Sequence, residues 1–422
     1  MHVLPVELIE RILYFCDGKT LKNARLVHPT WGSIVEFLTN KTDIWKWCCN
    51  EEIPENELSN YVEKYENIID DDKWLNIYSN WYSWHNIREN VQFDIVLCPV
   101  DVPRITYVAV SGTFIAVGSE DGRVKIFEET WGLLHTARYR AVRITEITFM
   151  YDDDETDDAE LDRIFLLLAY RTGTLILTEF DGKLNELAVI QDVKLHSVYK
   201  KYLCYERQGG RITITKLCRE ANGERLFCEI TFLRIYSPSE VSCLHVWGGV
   251  ATFLINNEVK VLKFDRNTPP VSFFENKVRI TFCVKNLAPL ERSCHIYQNN
   301  IIICASTHEV LREQFLEVFI LGDEDQYSQK LFNSWAALNA NITCMFLYGN
   351  IFVVGVDIGM VYFYRVASWK TFDIRNYQKK IIIGRHPIIG IDVKETKHER
   401  KFYVTSSFNI HQVIGFTSTN DF

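Results

Sequence analysis

The chain has 422 residues, with 46 Lys plus Arg against 55 Asp plus Glu and 47% apolar side chains, enough to bury more than one sizeable core and too apolar for disorder over most of its length. A formal charge of −9 argues against a general nucleic-acid binder, which needs a net basic face to displace counterions from phosphates. Aromatics at 13%, with 20 Gly and only 10 Pro, fit a strand-rich fold and exclude collagen-like and low-complexity classes.

The opening stretch carries Glu7, Glu10 and Arg11 inside its apolar pattern, so it lacks the uninterrupted core of a secretory leader. Nowhere do about 18 uncharged apolar residues run together, the length a spanning helix needs. A cytoplasmic or nuclear protein is expected, with no membrane and no nucleic acid among its partners. Twelve Cys lie between Cys16 and Cys344 without a CxxC pair, and no His cluster stands at metal-ligand spacing. They read as reduced thiols, and no metal or cofactor is expected.

From Leu4 to about Ile87 the apolar residues recur at helical spacing. Residues 1 to 90 hold 9 basic and 15 acidic side chains. Pro5 suits the first turn of a helix, where a missing amide hydrogen costs nothing, and Leu8, Ile9, Ile12 and Leu13 then follow along one side until Asp17-Gly18. A second helix from near Thr20 carries Leu21, Ala24, Leu26 and Val27. Pro29 breaks it and opens a third, holding Ile34, Val35, Phe37 and Leu38. Helices this short cannot bury all of that surface, so a stripe including Leu4, Leu8 and Ile12 is left for a partner. Further on, Lys73 to Tyr78 followed by Trp81, Tyr82 and Trp84 forms an aromatic stripe suited to sealing a helix against another domain.

From about Val91 onward the pattern changes to short alternating runs punctuated by Gly, Asn and Asp, placing the boundary near Asn90. One unit recurs: an apolar strand, a short turn, a second strand, a polar turn, a third strand and a weaker fourth. The clearest copy runs from Arg104 through Thr113 to Gly118, turns at Ser119-Glu120-Asp121-Gly122 and continues at Val124 to Phe127, with Asp-Gly as a strong hairpin signal. First strands begin near Arg104, Arg143, Val193, Val241, Val278, Asn341 and Ile388, spaced about 40 to 60 residues apart, as propeller blades are. The last copy shows only three clear strands. Gln92 to Leu97, ahead of the first blade, is suited to supply the missing one and close the ring. Eight acidic residues between Asp152 and Asp162 read as a solvated loop. Between residues 285 and 314 an unusually long connection separates the first two strands of a copy.

Two resemblances follow. The order Leu4-Pro5-x-Glu7-Leu8, Ile12-Leu13, Leu21, Ala24-Arg25-Leu26-Val27, Trp31 and Trp45 resembles an F-box, the helical module that docks on the Skp adaptor of cullin-RING ubiquitin ligases. It departs at His28-Pro29, where the family more often has Cys and a helix-compatible residue, a change that would bend the second helix. The repeats resemble WD-type propeller blades, although the Trp-Asp and Gly-His signatures are missing from them. Together they imply an α+β multidomain chain: an F-box over residues 1 to 48, a helical linker over 49 to 90 and a seven-bladed all-β propeller over 91 to 422. In F-box proteins with propellers, a similar Trp- and Tyr-rich linker acts as a rigid stalk.

No catalytic constellation stands out: there is no GxSxG elbow, phosphate-binding Gly-rich loop, HExxH or kinase signature. Single histidines such as His196 and His245 read as packed strand residues. The expected role is therefore non-catalytic, that of a substrate receptor of an SCF-type ligase. The resemblance implies adaptor docking supported by Leu4, Pro5, Leu8, Ile12, Leu21, Val27, Trp31 and Trp45. The target is a protein bound by the propeller, with phosphorylated and unmodified targets both open. Arg104, Arg143 and Arg279 each precede Ile-Thr and are expected at equivalent points of innermost strands, where guanidiniums suit phosphate or carboxylate. Capping of strands and pairing with nearby acids is the other reading of these arginines. A scaffold that assembles a complex without degradation is the alternative function, and an enzyme with a propeller active site is the weakest.

Overall fold

The computed structural model describes residues 4–54, 58, 62, 73–85, 87–151, 164–219, 225–234, 241–264, 278–280, 282, 289–297, 300–322, 326–395 and 399–417. The acidic run from Asp152 to Asp162 lies outside them.

Among the described residues, four helices open the chain: α1 (Val6–Tyr14), α2 (Gly18–Val27), α3 (Pro29–Lys41) and α4 (Ile44–Glu52). The second starts earlier than Thr20. Asp17 is its N-cap, its carboxylate accepting from the Thr20 N–H at 2.7 Å, so Asp17-Gly18 opens α2 rather than merely ending α1. At His28-Pro29 the chain breaks sharply. His28 is extended, its Nδ1 accepts from the Thr30 N–H at 3.2 Å, and Pro29 takes the first position of α3. The expected bend is thus a full stop and restart.

The helices share one core, built from Ile9, Leu13, Leu21, Ile34, Leu38, Trp45 and Cys48, and it continues into Ile77, Tyr78 and Trp81 of α5 (Lys73–His85). Gly18 marks where these parts meet. Its N–H donates to Glu52 Oε1 at 2.7 Å, the Tyr78 hydroxyl donates to Glu52 Oε2 at 2.7 Å, and any Cβ on Gly18 would run into the Tyr78 ring. The short helix α6 (Ile87–Asn90) then leads directly into strand.

Among the described residues, seven four-stranded antiparallel sheets follow, each a meander in chain order. The exception is the seventh, in which Val91–Leu97 pairs antiparallel with Ile410–Thr417, from Val91 opposite Thr417 to Leu97 opposite His411. This is the closure expected from the sequence: the first strand of the ring completes the last blade, so the sheets form a seven-bladed propeller without an open break. Six expected first strands are in place. The fifth is corrected: Val278–Arg279 is the outermost strand of the fourth blade, pairing with Glu258 and Val259, and the fifth blade starts at Pro289–Tyr297.

All seven innermost strands carry a bulge at their second residue, for example between Ile105 and Tyr107, Ile144 and Glu146, and Ile388 and Gly390. A bulge adds one residue and bends the strand, and repeating it sets a common register around the ring. Contacts between blades are close. A Cβ on Gly355 would lie 2.7 Å from Ile388 Cβ of the next blade, so glycine is required there.

The helical unit and the ring are welded through α5. Trp84 packs with Ile87, Val91, Phe363 and Phe402 between the sixth and seventh blades. The buried Arg400 guanidinium lies 4.2 Å from the Trp84 ring centre and donates to Asn80 Oδ1 at 2.7 Å, while Arg88 donates to the Tyr377 carbonyl at 2.8 Å.

Candidate functional site

Two surfaces qualify. The first is the outer side of α1. Ile9 and Leu13 turn inward, whereas Leu4, Leu8 and Ile12 remain 50%, 47% and 52% exposed, beside an exposed Phe15 and, from α2, Leu26 and Val27. Apolar residues on α1 therefore divide into two stripes rather than one. Pro5 is exposed at the N-cap of α1. Leu21 and Trp45 are buried and Trp31 packs on the same core, with Trp45 Nε1 donating to Thr39 Oγ1 at 2.9 Å. Of the residues singled out for docking, Leu4, Pro5, Leu8, Ile12 and Val27 are thus available for contact, and Leu21, Trp31 and Trp45 hold the unit's shape.

The second surface is the channel of the ring. Arg104 and Arg143 do stand at equivalent points: the carbonyl of each accepts a backbone bond from the turn two strands on, from Glu120 and Arg171, both at 3.0 Å. Arg143 Nε also lies 3.7 Å from Glu120 Oε2, an ion pair between neighbouring blades. Arg279 does not join them. It sits on the outermost strand of the fourth blade, because the Arg-Ile-Thr triplet there belongs to a different strand, so three equivalent guanidiniums do not gather at the channel.

What does line the channel is a cavity of about 550 Å³ bounded by Tyr107, Glu146, His245, Trp247, His295, Tyr297 and Phe346, among others. The bulged register explains it. Along each innermost strand alternate residues turn to the same side, and at one level Ser197 and Asp392 accept backbone N–H groups of the next blade, from Val246 at 3.1 Å and Val110 at 2.7 Å. In the fourth, fifth and sixth blades that level, two residues past the bulge, holds His245, Ser293 and Phe346, which make no such bond among the described residues, and there the space opens.

Charge in the channel is uneven. Burial pushes Glu146 up, but the His196 imidazole, whose Nε2 lies 3.2 Å from Glu146 Oε2, and the Thr148 hydroxyl outweigh it, so the carboxylate is held below its usual range. Burial lowers His245 to about 4 and lowers His295, leaving both imidazoles neutral at physiological pH. Burial raises Asp392 to about 7, against the two backbone N–H groups, of Val110 and Val393, that it accepts. The sequence pointed to His196 and His245 only as packed residues and passed over Glu146. The signal for all three was their place on innermost strands.

Among the described residues no three His, Cys, Asp or Glu side chains stand where they could share a metal ion, and no helix is long and apolar enough to cross a membrane.

No family model and no curated protein matches this chain. Solved structures match in shape at low identity. The Raptor protein of Chaetomium thermophilum aligns over 99% of this chain and 39% of its own, at 11% identity and TM-score 0.50. Sqt1 of Saccharomyces cerevisiae covers 78% of this chain and 99% of its own, at 10% identity and TM-score 0.47. The computationally designed Ika8 protein covers 75% of this chain and 98% of its own, at 11% identity and TM-score 0.41. These likenesses concern fold, and a propeller is compatible with protein binding or scaffold work.

Proposed function

We propose that the chain is the substrate-recognition subunit of an SCF-type ubiquitin ligase, its helices docking on a Skp-type adaptor and through it on a cullin-RING core, its propeller binding the target protein. The observation that carries this reading is the outward stripe of Leu4, Leu8 and Ile12 on a helical unit whose own core is already filled by Ile9, Leu13, Leu21 and Trp45. An apolar stripe with no place in its own core is suited to a partner helix or groove. The weld of α5 to the ring would hold target and adaptor at a fixed separation, raising the rate of transfer through effective concentration while the bond chemistry belongs to another subunit.

The test is capture of the adaptor by the full chain and by Leu8→Asp combined with Ile12→Asp. The reading expects capture by the parent, loss in the variant and a chain that still folds, with only a small change in stability, since both side chains are exposed. Retained capture would overturn it. Targets that bind the propeller but keep their steady-state level when the receptor is depleted would favour the scaffold.

A further inference from the structure

The cavity of the channel has a composition that says what it would hold. Four aromatic rings, of Tyr107, Trp247, Tyr297 and Phe346, stand in its walls among aliphatic side chains, and its lining among the described residues includes the Glu146 carboxylate and no Lys or Arg. His245 stacks beside Trp247 with ring centres 6.4 Å apart, and His295 beside Tyr297 at 6.2 Å, so two flat faces stand next to two imidazoles. The Nε2 atom of His245 is buried and has no hydrogen-bond partner among the described residues. A buried polar nitrogen left unmatched is costly, and one that borders a cavity is matched when a polar group of a ligand enters.

An anion is a poor occupant. It would meet a carboxylate, the negative faces of four rings and no cationic side chain of the lining. A neutral apolar group would leave His245 unmatched and gain nothing from the Glu146 carboxylate. A cation on an aliphatic stem meets each requirement: the stem lies against the rings, the charge faces ring quadrupoles and Glu146, and its N–H groups reach acceptors. The volume of about 550 Å³ lies within the usual span of roughly 300 to 1,000 Å³ for ligand pockets, more than one side chain needs, so flanking residues of a peptide fit as well.

We propose that the propeller channel, between its fourth, fifth and sixth blades and Glu146, is a binding site for a lysine or arginine side chain presented by a segment of a partner protein. The inference rests on the reading of the propeller as the target-binding part, and gives that target a chemistry: a basic segment. It does not depend on adaptor docking. The Glu146 and His196 contact is the arrangement in the free channel, and the incoming cation shares the carboxylate with the imidazole.

The experiment titrates the purified full chain with acetyl-Gly-Ser-Lys-Ser-Gly-amide and with the same peptide carrying Arg, norleucine or phosphoserine at its centre, read by calorimetry. Saturable binding of the Lys or Arg peptide is expected, with the norleucine and phosphoserine peptides weaker by at least about tenfold, the loss of one cation–π and charge contact in a desolvated site. Glu146→Gln, which keeps the side chain's size, should weaken the Lys peptide by a similar factor while far-UV dichroism shows the ring still folded. His295→Lys, at a side chain that lines the cavity, should block it by placing a cation in the site. Norleucine or phosphoserine binding as tightly as Lys, or no saturable binding of any peptide to a folded chain, would overturn the proposal. Adaptor capture is read on the same protein, so failure of the channel and failure of the ligase reading are separate results.

Discussion

The helical unit and the propeller treat apolar surface in opposite ways. The ring uses most of the surface within itself: each sheet packs on the next, the opening strand completes the last blade, and what remains toward the channel mixes aromatic, aliphatic and polar side chains. The helices fill a core and still present Leu4, Leu8, Ile12 and Phe15 to solvent. The comparison teaches that the two candidate surfaces call for different occupants, an apolar helical partner outside and a polar or cationic group inside. It also shows where the halves join, since within one helix Trp81 belongs to the helical core and Trp84 to the ring.

Cutting that joint should have the largest effect. Trp84→Ala removes a buried ring from between the sixth and seventh blades together with the face on which Arg400 rests, and is expected to cost roughly 3–5 kcal/mol. Denaturant unfolding followed by intrinsic fluorescence and far-UV dichroism should then separate into two transitions where the parent has one. A single, unshifted transition would mean that the halves are not coupled through α5. Next comes Gly18→Ala, whose new methyl has no room beside the Tyr78 ring and should cost about 1–3 kcal/mol by overpacking. Placed in the Trp84→Ala background, its effect should fall on the helical transition alone, and an equal shift in both would contradict the division.

Within the ring the expected change is one of slope. Asp392 titrates near 7 when folded and at an ordinary 3.8 when free, so between those values the folded state holds a proton that the unfolded state has lost. Its contribution makes stability fall as pH rises through that window and level off above 7. In Asp392→Asn this slope is gone, so the variant's melting temperature relative to the parent should improve from pH 5 to pH 8. His245, lowered to about 4, has the opposite sign below about 6.5 and is present in both proteins, so it cancels in the difference. A difference that stays flat with pH would remove Asp392 from the account. The smallest effect on stability is expected outside: Leu8→Asp with Ile12→Asp should shift unfolding by no more than about 0.5 kcal/mol per site.

Much of this architecture was legible from residues. Pro29 punctuates the helices because proline cannot continue one, Asp121-Gly122 turns a hairpin, and the spare strand before the first blade had only one gap to fill. The fifth blade was not legible for a physical reason. Alternation marks a strand but not whether it is innermost or outermost, and Arg279-Ile280-Thr281 copies the triplets at Arg104 and Arg143. The true innermost strand, Pro289–Tyr297, contains Glu291, Arg292, Ser293 and His295, and Ser293 and His295 line the channel, so it reads as polar and hides among turns. The channel site was invisible for the same reason: its residues come from separate strands and meet only when the ring closes. Adaptor-docking residues divide likewise, since helical spacing identifies apolar positions while packing decides that Leu21 and Trp45 turn inward and Leu8 and Ile12 outward.

The central claim is that the helical unit offers its outer stripe to an adaptor while the ring stays intact. Because α5 contributes to both cores, the full chain is the right object. The most direct measurement is co-expression of the full chain with the Skp-type adaptor, followed by size and mass determination of the purified material. The account predicts an equimolar complex that dissociates when Leu8 and Ile12 are both replaced by Asp. Free adaptor beside a folded chain would contradict it.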